Sequence, residues 1–166
     1  MKTYYLAYGS NLSVAQMAER CRDAVYVGTG EIENYQLLFR GSKTGSYLTI
    51  EQKEGSKVPV LVWEISPQDE RRLDRYEGYP SFYTKEKMKI TVHPLLDDGM
   101  EKEVEAIVYV MHKDRELGCP TPPYYDICME GYWRFHFDWD VLENAVIESI
   151  GKDEGRQFLD EFRDYR

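Results

Sequence analysis

Val58-Pro59-Val60-Leu61-Val62-Trp63-Glu64-Ile65 is the most strand-like run in the chain, and Ser66-Pro67-Gln68-Asp69 follows it directly. The run is rich in β-branched, aliphatic and aromatic residues and reads as a buried strand. The segment after it announces a helix. Serine can cap, proline suits the first helical position, and an acid falls in the first turn. Leu73 and Tyr76 give that helix an apolar stripe, and Gly78 ends it as a left-handed C-cap.

The fold follows from the connections on either side. Upstream, Thr3 to Tyr8 reads as a buried strand stopped by the Gly9-Ser10-Asn11 turn. Ser13 and Gln16 form a capping box that opens a short helix to about Arg20. Val25 to Phe39 reads as a strand interrupted by Gly28 and Gly30, followed by a polar turn from Gly41 to Gly45. Tyr47 to Glu51 is another strand, and Glu54-Gly55-Ser56 is expected to turn the chain. Downstream, Phe82 to Val92 and Glu103 to Met111 read as strands joined by Asp97-Asp98-Gly99. Pro120-Thr121-Pro122-Pro123 breaks the pattern. Helical patterns follow from about Tyr124 and from about Val141 to Arg166, with a break near Gly151. The order is β-α-β-β-β-α-β-β-α-α. Turns, not helical crossovers, link most strands. This predicts an α+β fold: a small mixed, largely antiparallel β-barrel with flanking helices.

Length and composition narrow the function. The chain has 166 residues, which suits a single domain over 1–166 with its own core. Its formal net charge is −9, and it has no run of Lys or Arg. Such a chain repels phosphate backbones and anionic lipid, so neither nucleic acid nor membrane is expected as a partner. No apolar stretch approaches the roughly 20 residues of a membrane span. Gly9 arrives too early for a secretory signal core, so a cytoplasmic location is expected. Cys21, Cys119 and Cys128 are an odd, sparse set without C-x-x-C spacing, and His93, His112 and His136 are scattered. No metal site is therefore expected. Fourteen tyrosines stand out, because tyrosine combines apolar bulk with a hydrogen-bonding tip suited to small polar pockets.

Three segments could carry chemistry. In Tyr8-Gly9-Ser10-Asn11-Leu12 a strand ends, a glycine permits close backbone approach and a helix follows. Backbone N–H groups at such a junction can hold an anion or oxyanion, with Ser10 and Asn11 orienting the ligand; a tight turn plus a helix cap explains the same letters. In Asp74-Arg75-Tyr76-Glu77-Gly78, Glu77 falls at a helix C-terminus, where the dipole disfavours a carboxylate. Tyr76, Tyr79, Phe82 and Tyr83 could dry it, and both effects raise its pKa towards that of a neutral-pH proton shuttle. A solvent-facing helix end is the plainer alternative. The third is Pro120-x-Pro122-x-Tyr124 leading to Cys128, which reads as a rigid loop followed by a buried structural thiol.

In this order the three segments resemble the γ-glutamylcyclotransferase superfamily, over roughly residues 3 to 130. The Y-G-S-N-[LM] loop is Tyr8-Gly9-Ser10-Asn11-Leu12. The L-D-x-x-E-G helix end is Leu73-Asp74-Arg75-Tyr76-Glu77-Gly78. Tyrosines of the family's pattern match Tyr83, Tyr109 in V-Y-V-M, and Tyr124 in P-x-P-x-Y. After Gly131 the resemblance fades, so residues 131–166 read as a divergent helical extension. Its segment from Tyr132 to Phe137 is a candidate to shape the pocket.

The resemblance implies a small-molecule γ-glutamyl substrate and a reaction without cofactor. The substrate's own α-amine attacks its γ-carbonyl, forms 5-oxoproline and releases an amine or amino acid. Glu77 inherits the role of general acid and base. Tyr8, Gly9, Ser10, Asn11, Leu12, Tyr83, Tyr109 and Tyr124 inherit substrate binding. In this scheme loop N–H groups hold the glutamyl part, while Tyr83 and Tyr124 wall the pocket and donate hydroxyls. The alternative is a non-catalytic small-molecule binding protein on the same fold. A homodimer is the one macromolecular partner left open.

Overall fold

A computed structural model describes residues 1–42, 45–96 and 99–165. Strands β1 (Thr3–Ala7), β2 (Val25–Gly41), β3 (Tyr47–Ile65), β4 (Tyr83–Pro94) and β5 (Lys102–Met111) close into a barrel in the order β3-β1-β5-β4-β2, with β2 pairing back to β3. A short β6 (Glu116–Leu117) extends the end of β2 at Arg40 and Gly41. Around the barrel lie α1 (Val14–Arg20), α2 (Pro67–Tyr76), α3 (Pro122–Arg134), α4 (Trp139–Ile150) and α5 (Lys152–Tyr165). The expected mixed barrel with flanking helices is the architecture found. One pairing is parallel, β1 with β5; the others are antiparallel.

β2 crosses β4 at Gly28 and Gly30. A Cβ on Gly28 would lie 2.4 Å from the His93 carbonyl oxygen, so only glycine lets the strands approach. The residues that interrupt the strand pattern in sequence are therefore the ones that help close the barrel.

Two expectations need correction. Tyr47–Glu51 and Val58–Ile65 are one continuous strand, β3, and Glu54-Gly55-Ser56 does not reverse the chain. Pairing runs Glu33↔Lys57 and then Tyr35↔Gln52, which leaves extra residues on β3 opposite Asn34. Asn34 adopts a φ of 61°, and its Oδ1 accepts the Gly55 N–H at 3.0 Å. A side-chain bond thus replaces a ladder bond and the strand bulges. The sequence reading also lacked β6. Asp97 and Asp98 of the expected Asp97-Asp98-Gly99 turn, and the middle of the Gly41–Gly45 turn, lie outside the described residues.

The helices stop and start as their caps dictate. Ser66 and Asp69 form a full capping box on α2 with Pro67 in the first turn, and Gly78 has a φ of 64°. Ser13 accepts the Gln16 N–H, the half of the expected box that forms at α1. Gly151, with a φ of 93°, separates α4 from α5.

α4 and α5 pack on β2 and α3, and none of their residues lines the cleft described below. Ser149 Oγ accepts the Phe39 N–H at 2.8 Å and donates to the Ala145 carbonyl at 2.6 Å. Tyr125 of α3 receives Phe158 and Phe162 edge-on. Tyr132 packs edge-on against Phe137, and Phe135 against Tyr26. The Tyr132–Phe137 segment thus fastens the end of α3 to the barrel and does not line the cleft. Among the described residues no helix is long and apolar enough to cross a membrane.

Candidate active site

A cleft of about 330 Å³ opens where β1 runs into a single 3-10 turn, Ser10–Leu12, and α2 ends. The fold brings Tyr8, Gly9, Ser10 and Asn11 to one side of it and Glu77, Tyr83, Tyr109 and Tyr124 to the others. Leu12 is the exception among the sequence-predicted residues. It is fully buried, packs under α3, and spends its backbone N–H on the Gly9 carbonyl at 3.0 Å. Its position in the motif reflects anchoring of the turn.

Glu77 caps the C-terminus of α2, with its N–H donating to the Leu73 carbonyl at 2.8 Å. Its side chain is only partly exposed. Burial pushes its carboxyl up to about 7 against the opposing pull of the Arg20 cation. The raised value expected from sequence is found, and desolvation is its leading cause.

The loop is held from behind. Asn11 Nδ2 donates to the Tyr5 hydroxyl at 2.9 Å, and Asn11 Oδ1 accepts Arg20 Nη1 at 2.5 Å. Trp63 Nε1 donates to the Asn11 carbonyl at 3.0 Å. The Asn11 amide is therefore spent inside the protein and fixes the turn. Ser10 Oγ lies 3.4 Å from the Tyr76 hydroxyl, and the Arg20 guanidinium stacks 3.6 Å from the centroid of the Tyr76 ring. The first N–H groups of the 3-10 turn have no partner within it and head the loop.

The tyrosine hydroxyls are largely committed. Tyr8 donates to the Tyr109 carbonyl at 2.6 Å, Tyr109 to Asp74 Oδ1 at 2.6 Å, and Tyr83 to the Leu48 carbonyl at 2.8 Å. Tyr83 was expected to donate into the pocket. Instead, its desolvated O–H takes the carbonyl beside it, leaving lone pairs for a ligand. Tyr124 accepts the Leu48 N–H at 3.1 Å. A Cβ on Gly9 would sit 3.1 Å from the Tyr124 hydroxyl, a tight contact. Burial holds the phenols of Tyr5, Tyr8, Tyr83 and Tyr124 well above their ordinary range, so all stay neutral.

Asp74 ties α2 to the barrel. Besides Tyr109 it accepts Lys85 Nζ at 2.9 Å, and Lys85 also reaches Glu70 at 2.7 Å. Cys128 is buried and its thiol is pushed up to about 12 by burial, as suits a structural thiol. Among the described residues no group of three His, Cys, Asp or Glu is placed to hold a metal ion. Sequence reasoning missed Tyr5 and Arg20. Tyr5 looks like any core strand residue and Arg20 like any helix-end cation; only the tertiary fold brings them to Asn11.

Residues 5–135 match the family model described as gamma-glutamyl cyclotransferase, AIG2-like. The chain belongs to this family.

Solved structures agree on the fold of this AIG2-like chain. One described as a gamma-glutamyl cyclotransferase superposes with a TM-score of 0.74 at 22% identity, covering 97% of this chain and 99% of that one. The uncharacterized protein loc79017 from Homo sapiens gives 0.70 at 24% identity, covering 96% and 98%. A yeast gamma-glutamyl cyclotransferase specific to glutathione gives 0.53 at 12% identity, covering 99% and 97%. At these identities the likeness is one of fold. No curated protein matches the chain in sequence. The family match ends at Phe135, but the first two structures span nearly the whole chain, so α4 and α5 of this cyclotransferase-like fold have counterparts there.

Proposed function

We propose that this cleft converts a γ-glutamyl amide to 5-oxoproline and a free amine or amino acid, with Glu77 as general acid and base. The observation that carries the reading is the Glu77 carboxyl, pushed up to about 7 in a small cleft beside the Gly9–Asn11 turn. A carboxyl poised there can both take and return a proton near neutral pH. The substrate supplies its own nucleophile, so the protein's tasks are folding the glutamyl chain into a ring-closing pose and moving protons.

Two protons leave the α-ammonium in all. Glu77 takes the first, which frees the amine lone pair to attack the γ-carbonyl carbon. It returns that proton to the leaving nitrogen as the old C–N bond breaks. The second proton passes from the new ring nitrogen through Glu77 to the departing amine. The products are the lactam and an ammonium, and no water is consumed. Backbone N–H groups at the head of the turn hold the glutamyl part, and Tyr8, Tyr83, Tyr109 and Tyr124 wall it.

The test is 5-oxoproline release from a panel of γ-glutamyl amino acids, γ-glutamyl amines and glutathione. Glu77→Gln should keep the fold and lose about 10²–10⁴-fold in rate. Retained turnover would remove Glu77 from the role. Binding without release by the wild type would replace the enzyme with a binding protein.

A further inference from the structure

We infer that Tyr5 is a further catalytic residue of this cleft: its phenolic O–H, backed by Arg20 and Asn11, donates a hydrogen bond to the γ-carbonyl oxygen as that oxygen becomes an oxyanion. The inference rests on the cyclotransferase reading.

An inventory of hydroxyl protons leads to Tyr5. Tyr8, Tyr83 and Tyr109 each give their proton to a protein acceptor. Tyr5 and Tyr124 are placed the other way round, but the Tyr124 oxygen accepts only from the Leu48 N–H, with no cation behind it, and its hydroxyl is hydrogen-bonded to the Cys128 thiol. The Tyr5 oxygen accepts from Asn11 Nδ2, and among the described residues no acceptor takes its proton. Tyr5 is 4% exposed and lines the same cleft as Glu77. A buried phenol with an unspent donor, in a pocket for a carbonyl compound, is placed to receive that carbonyl. Glu77 is near enough for its charge to raise the Tyr5 phenol further, after burial, so the group stays a neutral donor at working pH.

The groups behind Tyr5 strengthen it. Arg20 donates to Asn11 Oδ1, and Asn11 Nδ2 donates to the Tyr5 oxygen. Each bond polarises the next, and the chain begins at a full positive charge. A phenol that accepts at its oxygen is a better donor at its hydrogen. Trp63 fixes the Asn11 backbone, so the chain is rigid before substrate arrives. Such preorganised donors stabilise charge that develops only in the transition state.

In the step itself the amine lone pair forms the new N–C bond and the carbonyl π pair moves to oxygen. Tyr5 keeps its proton and only hydrogen-bonds the O⁻. The pair returns when the leaving C–N bond breaks.

Tyr5→Phe keeps the ring that packs edge-on against Tyr109 and removes only the hydroxyl. With the best γ-glutamyl substrate, kcat should fall about 10²–10³-fold while KM stays within threefold. The acid limb of the pH profile should not move, because Glu77 is untouched. A kcat within threefold of wild type would overturn the role of Tyr5 and leave the cyclotransferase reading standing. A wild type that releases no 5-oxoproline would instead remove that reading. Should Tyr5→Phe not fold, Arg20→Met carries the test, since Arg20 is a partly exposed positioning residue. It should lower kcat about three- to tenfold at a pH well above the Glu77 titration, with KM unchanged. An unchanged kcat on that plateau would overturn the inference.

Discussion

Leu12 and Gly131 meet where the cleft loop rests on α3: a Cβ on Gly131 would fall 2.4 Å from the Leu12 Cβ. Leu12 is fully buried, so the 3-10 turn cannot rise to make room. Gly131→Ala should therefore cost about 1–3 kcal/mol by overpacking, read from urea unfolding. The displaced turn should also raise KM for any ligand of the cleft. An unchanged urea midpoint would mean that α3 shifts freely on the loop.

Glu77 should make stability depend on pH in a definite direction. Its carboxyl rises from 4.5 to about 7 on folding, so the native state binds the proton more tightly than the unfolded chain. The stability it contributes is full below 4.5 and is lost as pH rises through 7. Glu77→Gln, neutral throughout, should match wild type at low pH. At pH 8 it should be more stable by on the order of 1–3 kcal/mol. Thermal unfolding of both proteins across this range checks it; a constant difference would contradict the raised carboxyl.

Activity should show the same group. As a base Glu77 must be ionised, so kcat/KM should rise with pH through about 7. The Arg20 cation holds that value down. Arg20→Gln should shift the limb to higher pH, whereas a limb moving to lower pH would contradict the electrostatic role.

Ser149 offers a control far from the cleft. It satisfies the buried Phe39 N–H, and Ser149→Ala leaves that donor without a partner. A loss of about 1–3 kcal/mol in urea unfolding is expected, with 5-oxoproline release unaffected at temperatures where the variant is folded. Unchanged stability would show that β2 finds another acceptor.

Local signals were legible where local chemistry decides. Ser66, Pro67 and Gly78 bound α2 as their types require, and the Gly9 turn and Glu77 helix end meet at one cleft. Long-range pairing was not legible. Gly55 reads as a turn in sequence, but the Asn34 amide across the ladder captures its N–H and keeps the strand going. Leu12 sits in the motif beside Ser10 and Asn11 yet faces α3, because a 3-10 turn sends successive side chains in different directions. The hydroxyl partners of Tyr83 and Tyr109 lie on other strands and helices, beyond any local pattern.

β1 lies between β3 and β5, with Tyr5 facing Trp63 on one side and Ile107 on the other. β1 is made before β5 and must therefore wait for it to be paired on both edges. Until then one edge of β1 stays open, and the segment bearing Tyr5 and the Gly9–Asn11 turn has only part of its wall. Contacts this distant in sequence slow folding, because the intervening chain must be ordered before they form. A nascent chain stalled before Lys102 would display a hydrophobic strand edge and no complete cleft. The parallel pairing of β1 with β5, whose Tyr109 lines the cleft, thus leaves the cleft incomplete until β5 is in place.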